Sequence, residues 1–347
     1  LGTVYTWDFS VRKHALARRF LRGHEVHLAR DPARIPAGSV LALWGSTAVP
    51  TGLATGVEVW RLEDGFLRSV GLGADLVQPS SWVVDPVGIY YDATGPSALE
   101  RLLADATIPP AESRRAEALR RSVVAARLTK YNVGNPEGWR RPVGLAPGRR
   151  VVLVPGQVES DASIARGCTE VRTNLELLRR VRADRPHDHI VFKPHPDVLA
   201  GLRSGQALDP RFAECCDEIV QNVSMAPLLD AADEVHVMTS LAGFEALLRG
   251  KAVTTHGMPF YAGWGLTRDL ALTPAVARRR ARTRSLDELV ACALLRYPLY
   301  VDAAGQPATP EDVIVELQQR RDAGWRLPVW RRALRPLLGW AASRRGQ

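Results

Sequence analysis

At 347 residues, 46% hydrophobic and 24% charged, the chain is too long for one small domain and suits two packed domains of middling size. Its net charge of +9 points to an anionic partner: a nucleotide, a nucleic acid, an acidic sugar or an anionic lipid. Four cysteines, Cys168, Cys215, Cys216 and Cys292, form no C-x-x-C pair, which argues against a disulfide scaffold or zinc site, and no stretch has the apolar length needed to cross a bilayer.

The N-terminus lacks the apolar core of a signal peptide, so a cytoplasmic protein is expected, and a start at Leu1 suggests a trimmed chain. Residues 2–5 read as a first strand, 14–21 as a basic helix and 25–28 as the next strand. The run 39–44 is a strand ending at Gly45-Ser46-Thr47, and 57–62 is another, closed by Glu63-Asp64-Gly65 with Arg68 close behind. Residues 71–92, rich in Gly, Pro, Asp and Tyr, read as loops with short strands at 82–85 and 89–91. Helices are expected over 97–105, opened by a capping Ser97, and over 112–128. The Gly-, Pro- and Asn-rich stretch 131–150 suits an interdomain linker.

The second half alternates more regularly. Strands at 151–154, 190–193, 218–220, 234–238 and 252–255, with helices at 173–183, 226–231 and 241–248, make the βαβ series of a doubly wound α/β domain. Helices over 286–295 and 310–319 follow, and at least one is expected to pack back across the domain junction. The expected division is an N-terminal Rossmann-like domain over 1–145, a nucleotide-binding one over 146–270, and helices with a basic tail over 271–347. In that tail Trp325, Trp330 and Trp340 lie among arginines. Such a segment suits either an amphipathic helix on an anionic membrane face or a docked terminal helix with a solvated arginine face.

Ligands of open α/β sheets collect at the carboxyl ends of the strands. There Gln157, Glu159, Ser160 and Asp161 follow the first strand of the second half. Asp161 is the candidate for covalent chemistry, and the competing role is the N-cap of a helix beginning at Ala162. In Lys193-Pro194-His195-Pro196 the prolines fix a loop whose ammonium and protonated imidazole suit a leaving phosphate. Thr239 and Ser240 precede a helix start that can seat a nucleotide phosphate, with N-capping by Ser240 as the structural alternative, and Glu245, a turn into it, either reaches a ribose or is a solvated first-turn acid. Tyr261 and Trp264, interleaved with glycines, offer flat faces to a sugar or base, and the competing role is a glycine-aromatic loop that closes a domain. No P-loop, G-x-G-x-x-G, H-E-x-x-H or G-x-S-x-G occurs, which argues against an NTPase, a dinucleotide enzyme, a zincin and a lipase-like hydrolase. The scattered arginines support nucleic-acid binding poorly.

The stretches EDGFLRSVGLGADL (63–76), GIYYDAT (88–94), PGQVESDASI (155–164), KPHP (193–196), TSLAGFEAL (239–247) and GMPFYAGWGLTRD (257–269) together resemble the KpsC-type capsule polysaccharide β-Kdo transferases. The likeness is to a single module, nearer the C-terminal one of the two-module proteins. It implies a GT-B-like α/β fold of two Rossmann-type domains, CMP-Kdo as donor, a Kdo-terminated glycolipid as acceptor at the inner membrane face, no metal cofactor, and transfer with retention. By that likeness Asp161 is the nucleophile, His195 stands near the donor phosphate, and Glu63 or Asp64 faces the acceptor. Gln157, Lys193, Thr239, Ser240, Glu245, Arg68, Tyr261 and Trp264 are the candidate binding residues. The alternative is a non-catalytic nucleotide-sugar or polysaccharide-binding module of the same fold.

Overall fold

The computed structural model describes residues 2–71, 77–196 and 209–323. The segment 325–347, read above as a basic tail, lies outside the described residues. A first sheet contains β1 (Thr3–Thr6), β2 (Glu25–Leu28), β3 (Val40–Trp44), β4 (Glu58–Asp64), β5 (Ser81–Asp85) and β12 (Pro298–Tyr300), in the order β12-β5-β4-β3-β1-β2. The strands β2, β1, β3 and β4 run parallel, and β5 and β12 are antiparallel additions at one edge. β3 is apolar without alternation because Leu41, Ala42 and Leu43 are wholly buried, as expected of a central parallel strand covered on both faces.

The second sheet is entirely parallel. It comprises β6 (Val151–Pro155), β7 (His189–Lys193), β8 (Glu218–Ile219), β9 (Glu234–Val237), β10 (Ala252–Thr255) and β11 (Arg268–Asp269), in the order β11-β10-β9-β6-β7-β8. The chain winds outward in one direction from β6 and then in the other from β9, so the strand order reverses between those two neighbours. Helices α4 (Ala162–Gly167), α5 (Asn174–Asp184), α6 (Met225–Ala231) and α7 (Leu241–Leu248) join the strands. The strands and helices expected between residues 151 and 255 recur here to within one residue at each end.

Elsewhere the structure departs from the sequence reading. Residues 89–91, expected as a strand, form a turn. The Asp85 carboxylate accepts the backbone N–H groups of Val87, Gly88 and Ala98, which ends β5 and draws the chain aside. Gly88 permits this because a Cβ there would lie 2.3 Å from the Pro96 carbonyl oxygen. The expected helix 286–295 is an α-helical turn, α9 (Leu286–Val290), that widens into a π-helical turn over Ala291–Arg296. Just beyond it β12 pairs with β5, so the C-terminal part of the chain completes the N-terminal sheet.

The two halves share one continuous core. Phe66 of the first half stacks against Phe260 and Tyr297 and Tyr90 meets the same two rings edge-on, with ring centroids 4.8–6.5 Å apart, and Phe244 of α7 closes the cluster. Helix α9 and α10 (Pro310–Asp322) pack on α3 (Pro110–Ala125). Between α2 (Ala98–Asp105) and α8 (Pro274–Arg279), the buried Glu100 receives Arg279 at 2.6 Å and Arg280 at 2.8 Å. A buried carboxylate paired twice in this way is costly to break, which holds the junction in one arrangement. Among the described residues no helix is long and apolar enough to cross a membrane.

Candidate active site

Above that junction lies a cleft of about 910 Å³. Its walls are the segments that follow β1, β3 and β4 on one side and β6, β7 and β9 on the other, so the carboxyl ends of both parallel sheets open into one space. The strand order of the second sheet reverses at this edge, where adjoining loops diverge and leave room for a ligand.

Asp161 leaves β6 into this cleft and does two things at once. It lines the space, and its Oδ1 accepts the Ser163 backbone N–H at 2.9 Å as the N-cap of α4. The capping role weighed from sequence is therefore present, yet it engages one carboxylate oxygen and leaves the residue at the cleft wall. From β7, Lys193 reaches the same wall with only 6% of its surface exposed, and burial pushes its ammonium down to about 8. It makes no ion pair among the described residues. His195 follows on the same wall. Ser240 caps α7 by accepting the Ala242 N–H at 3.2 Å, and this helix start lines the same cleft as the two basic residues.

The facing wall carries acids. Glu63 and Asp64 are the last two residues of β4 rather than a loop beyond it. Asp64 accepts Arg68 Nε at 2.5 Å, and Arg68 is itself buried and donates to Ser69 Oγ at 2.8 Å. Glu63 Oε1 accepts only the Asp64 backbone N–H, at 3.0 Å, among its described hydrogen bonds. Burial, and next the neighbouring Asp64 charge, push the Glu63 carboxyl up to about 7, against the weaker opposing pull of Lys130. Lys130 is a cleft residue that the sequence reading missed. It sits in the loop after α3, where nothing in the local pattern marks it, and only the fold brings it to the end of β4.

Two expected binding residues lie elsewhere. Tyr261 and Trp264 are fully buried and do not line the cleft. The Tyr261 hydroxyl donates to the Ser240 carbonyl and Trp264 Nε1 donates to the Phe260 carbonyl, so both polar ends are satisfied within the core. Gly243 is required by this packing, since a Cβ there would meet the Tyr261 hydroxyl at 2.2 Å. Glu245 lines the cleft floor, but its Oε1 accepts the Lys130 backbone N–H at 2.7 Å, tying α7 to the opposite half rather than standing ready for a ribose. Gln157 likewise lines the cleft with its amide committed to Thr239, accepting the Thr239 N–H at 2.9 Å and donating to its Oγ1 at 3.0 Å.

A family model described as "Capsule polysaccharide biosynthesis protein" matches residues 46–133 and 123–300, which takes in both acids of β4, Asp161, the Lys193–His195 turn and the start of α7. This chain belongs to the KpsC-type capsule polysaccharide biosynthesis family. Its curated relatives include the capsule polysaccharide modification protein LipA of Neisseria meningitidis serogroup B, 44% identical over 86% of this chain and 43% of the relative. Another is the lipopolysaccharide-processing protein LpsZ of Rhizobium meliloti, 43% identical over 79% of this chain and 62% of the relative. The KpsC-type chain thus spans less than half of LipA and under two thirds of LpsZ. Among solved structures it is similar to a Thermosulfurimonas dismutans KpsC β-Kdo 2,7 transferase, with a TM-score of 0.75, 39% identity, and 92% and 99% of the two chains covered. The corresponding 2,4 transferase matches with a TM-score of 0.76, 34% identity, and 90% and 97% coverage.

Proposed function

We propose that this chain is a GT-B-like glycosyltransferase module that moves Kdo from CMP-Kdo to a Kdo-terminated glycolipid with retention of configuration. The observation that carries the reading is the pairing of walls. A carboxylate at the switch point of a nucleotide-type sheet, Asp161, shares one cleft with a second carboxylate on the opposite half, Glu63, whose pKa lies near neutrality. The names of the solved KpsC relatives supply the sugar.

Retention requires two inversions at one carbon. In the first, an oxygen of Asp161 attacks the anomeric carbon, the bond from that carbon to the phosphate oxygen breaks, and CMP departs with the electron pair. Lys193, His195 and the start of α7 hold the charge that develops on the phosphate, through an ammonium, an imidazole and the positive end of the helix dipole. In the second, the acceptor hydroxyl gives its proton to Glu63 and attacks the same carbon, which releases Asp161 as a carboxylate. Glu63 suits the base better than Asp64, because Arg68 already occupies Asp64 and because a base poised near 7 is effective at neutral pH.

The deciding experiment is incubation with CMP-Kdo and a Kdo-terminated acceptor, followed by NMR of the product. A new β-linked Kdo with release of CMP supports the reading. CMP-Kdo binding without product would assign a binding module instead.

A further inference from the structure

Asn174 is the first residue of α5, 6% exposed, and does not itself line the cleft. Its side-chain amide brackets the chain leaving β6, with Oδ1 accepting the Gln157 N–H at 2.9 Å and Nδ2 donating to the Gln157 carbonyl at 2.9 Å. Glu159 Oε1 fastens the bracket from the other side, accepting the Asn174 backbone N–H at 2.8 Å and Nδ2 at 3.0 Å. Gln157 repeats the device across the switch point through its paired bonds to Thr239. The Thr239 hydroxyl, which accepts from Gln157, donates to Ser163 Oγ at 3.1 Å, and the Ser163 N–H is the group that Asp161 caps. The loop from Gln157 to Ser163 is therefore gripped at both ends, and Asp161 lies between the grips.

We propose that Asn174 is a positioning residue that, through Gln157 and Thr239, fixes the Asp161 carboxylate against the donor-holding start of α7. The proposal rests on the reading of Asp161 as the nucleophile given above. Its physical basis is that buried side-chain amides hydrogen-bonded at both ends hold a backbone in one register, and a carboxylate attacking carbon needs its position held to a fraction of an ångström. Both amides are satisfied from two sides, so no smaller polar side chain can reproduce the link.

Two near-isosteric variants test it. Asn174→Asp keeps the acceptor for the Gln157 N–H but sets an oxygen against the Gln157 carbonyl and Glu159. Gln157→Glu keeps the acceptor for the Thr239 N–H but removes the amide donor to Thr239 Oγ1 and sets a carboxylate oxygen there, which forces the Thr239–Ser163 hydroxyl pair to reverse its hydrogen bond. In both, amide hydrogen exchange over residues 161–165 is expected to quicken about tenfold relative to wild type. The turnover number is expected to fall about a hundredfold, as for a misplaced reacting group, while in Asn174→Asp, whose side chain does not line the cleft, affinity for CMP stays within about threefold. Unchanged exchange at 161–165 in both variants overturns the proposal whatever the activity. So does faster exchange with turnover within about twofold of wild type, or a parallel fall of turnover, CMP affinity and melting temperature, which is the pattern of a merely structural role. A wild-type enzyme that transfers nothing from CMP-Kdo refutes the functional reading, and the exchange data still decide the positioning claim.

Discussion

Arg68 donates from Nε to Asp64 Oδ2 at 2.5 Å across four residues, and this pair separates the duties of two adjacent acids. With Asp64 committed, Glu63 is the carboxylate that burial and the Asp64 charge push up to about 7. A base of that kind must lose its proton before it can act, so kcat/KM is expected to rise with pH and level off above about 7. Glu63→Gln should lower transfer by about 10²–10⁴-fold and abolish that limb of the profile. Asp64→Asn should keep the limb and shift it downward, because a raising charge has been removed. A limb near 7 that survives in Glu63→Gln would assign the base to another group.

Asp161 has a structural duty and a proposed chemical one, and a pair of substitutions separates them. Asparagine caps a helix about as well as aspartate, whereas alanine costs about 1 kcal/mol of stability at an N-cap. Asp161→Asn should therefore melt like wild type yet transfer no Kdo, and Asp161→Ala should be both inactive and less stable. Intact-protein mass spectrometry of Glu63→Gln with CMP-Kdo should show one added Kdo, since acceptor attack is slowed while the first displacement proceeds. Wild-type turnover in Asp161→Asn would end the nucleophile reading.

Five strands of the second sheet were legible from sequence, most of them as short apolar runs punctuated by Pro, Gly or a capping residue, whereas β11, Arg268–Asp269, carries no apolar run and was missed. The carboxyl-end positions of Asp161, Lys193, His195, Thr239 and Ser240 followed from the same pattern, and all five line the cleft. What the pattern could not show is which polar groups are consumed by the protein itself. Tyr261 and Trp264 look like ligand-facing aromatics in a glycine-rich loop, but the hydroxyl and indole find carbonyls 21 and 4 residues away in sequence. Asn174, Gln157 and Lys130 were unmarked or misread for the same reason: their partners are brought together by the crossing at the switch point and by the packing of one half on the other. The strand β12 was missed because three residues after a π-helical turn carry no periodicity of their own.

Lys193 is a buried ammonium facing the phosphate side of the cleft, pushed down to about 8 by burial. It binds an anion only while protonated, so affinity for CMP should be steady below about pH 8 and decline as pH rises through it. The decline should approach tenfold per pH unit if one proton is taken up on binding. Lys193→Met should bind CMP more weakly at neutral pH and lose this pH dependence. Calorimetric titration of both proteins between pH 6 and 9.5, roughly the span of the expected change, measures it. An equal pH dependence in the variant would place the titrating group elsewhere.

Glu245 makes the stability of the junction depend on pH. Burial in α7 raises its carboxyl from the ordinary 4.5 to about 7, although Arg249, the Lys130 N–H and the Lys130 charge pull the other way. A carboxyl with a raised folded-state pKa favours the folded protein when protonated. Its contribution is complete below about 4.5 and is lost as pH rises through 7. Glu63 acts in the same direction. The part of the stability that Glu245 carries should therefore fall between roughly pH 5 and pH 8. Glu245→Gln retains a side-chain oxygen for the Lys130 N–H and cannot ionise, so it should match wild type at about pH 5 and exceed it on the order of 2–3 kcal/mol at about pH 8. Chemical denaturation of both proteins at the two pH values gives the difference directly. A stability gap of the same size at both would show that the charge on Glu245 is not what strains the contact between α7 and the Lys130 loop.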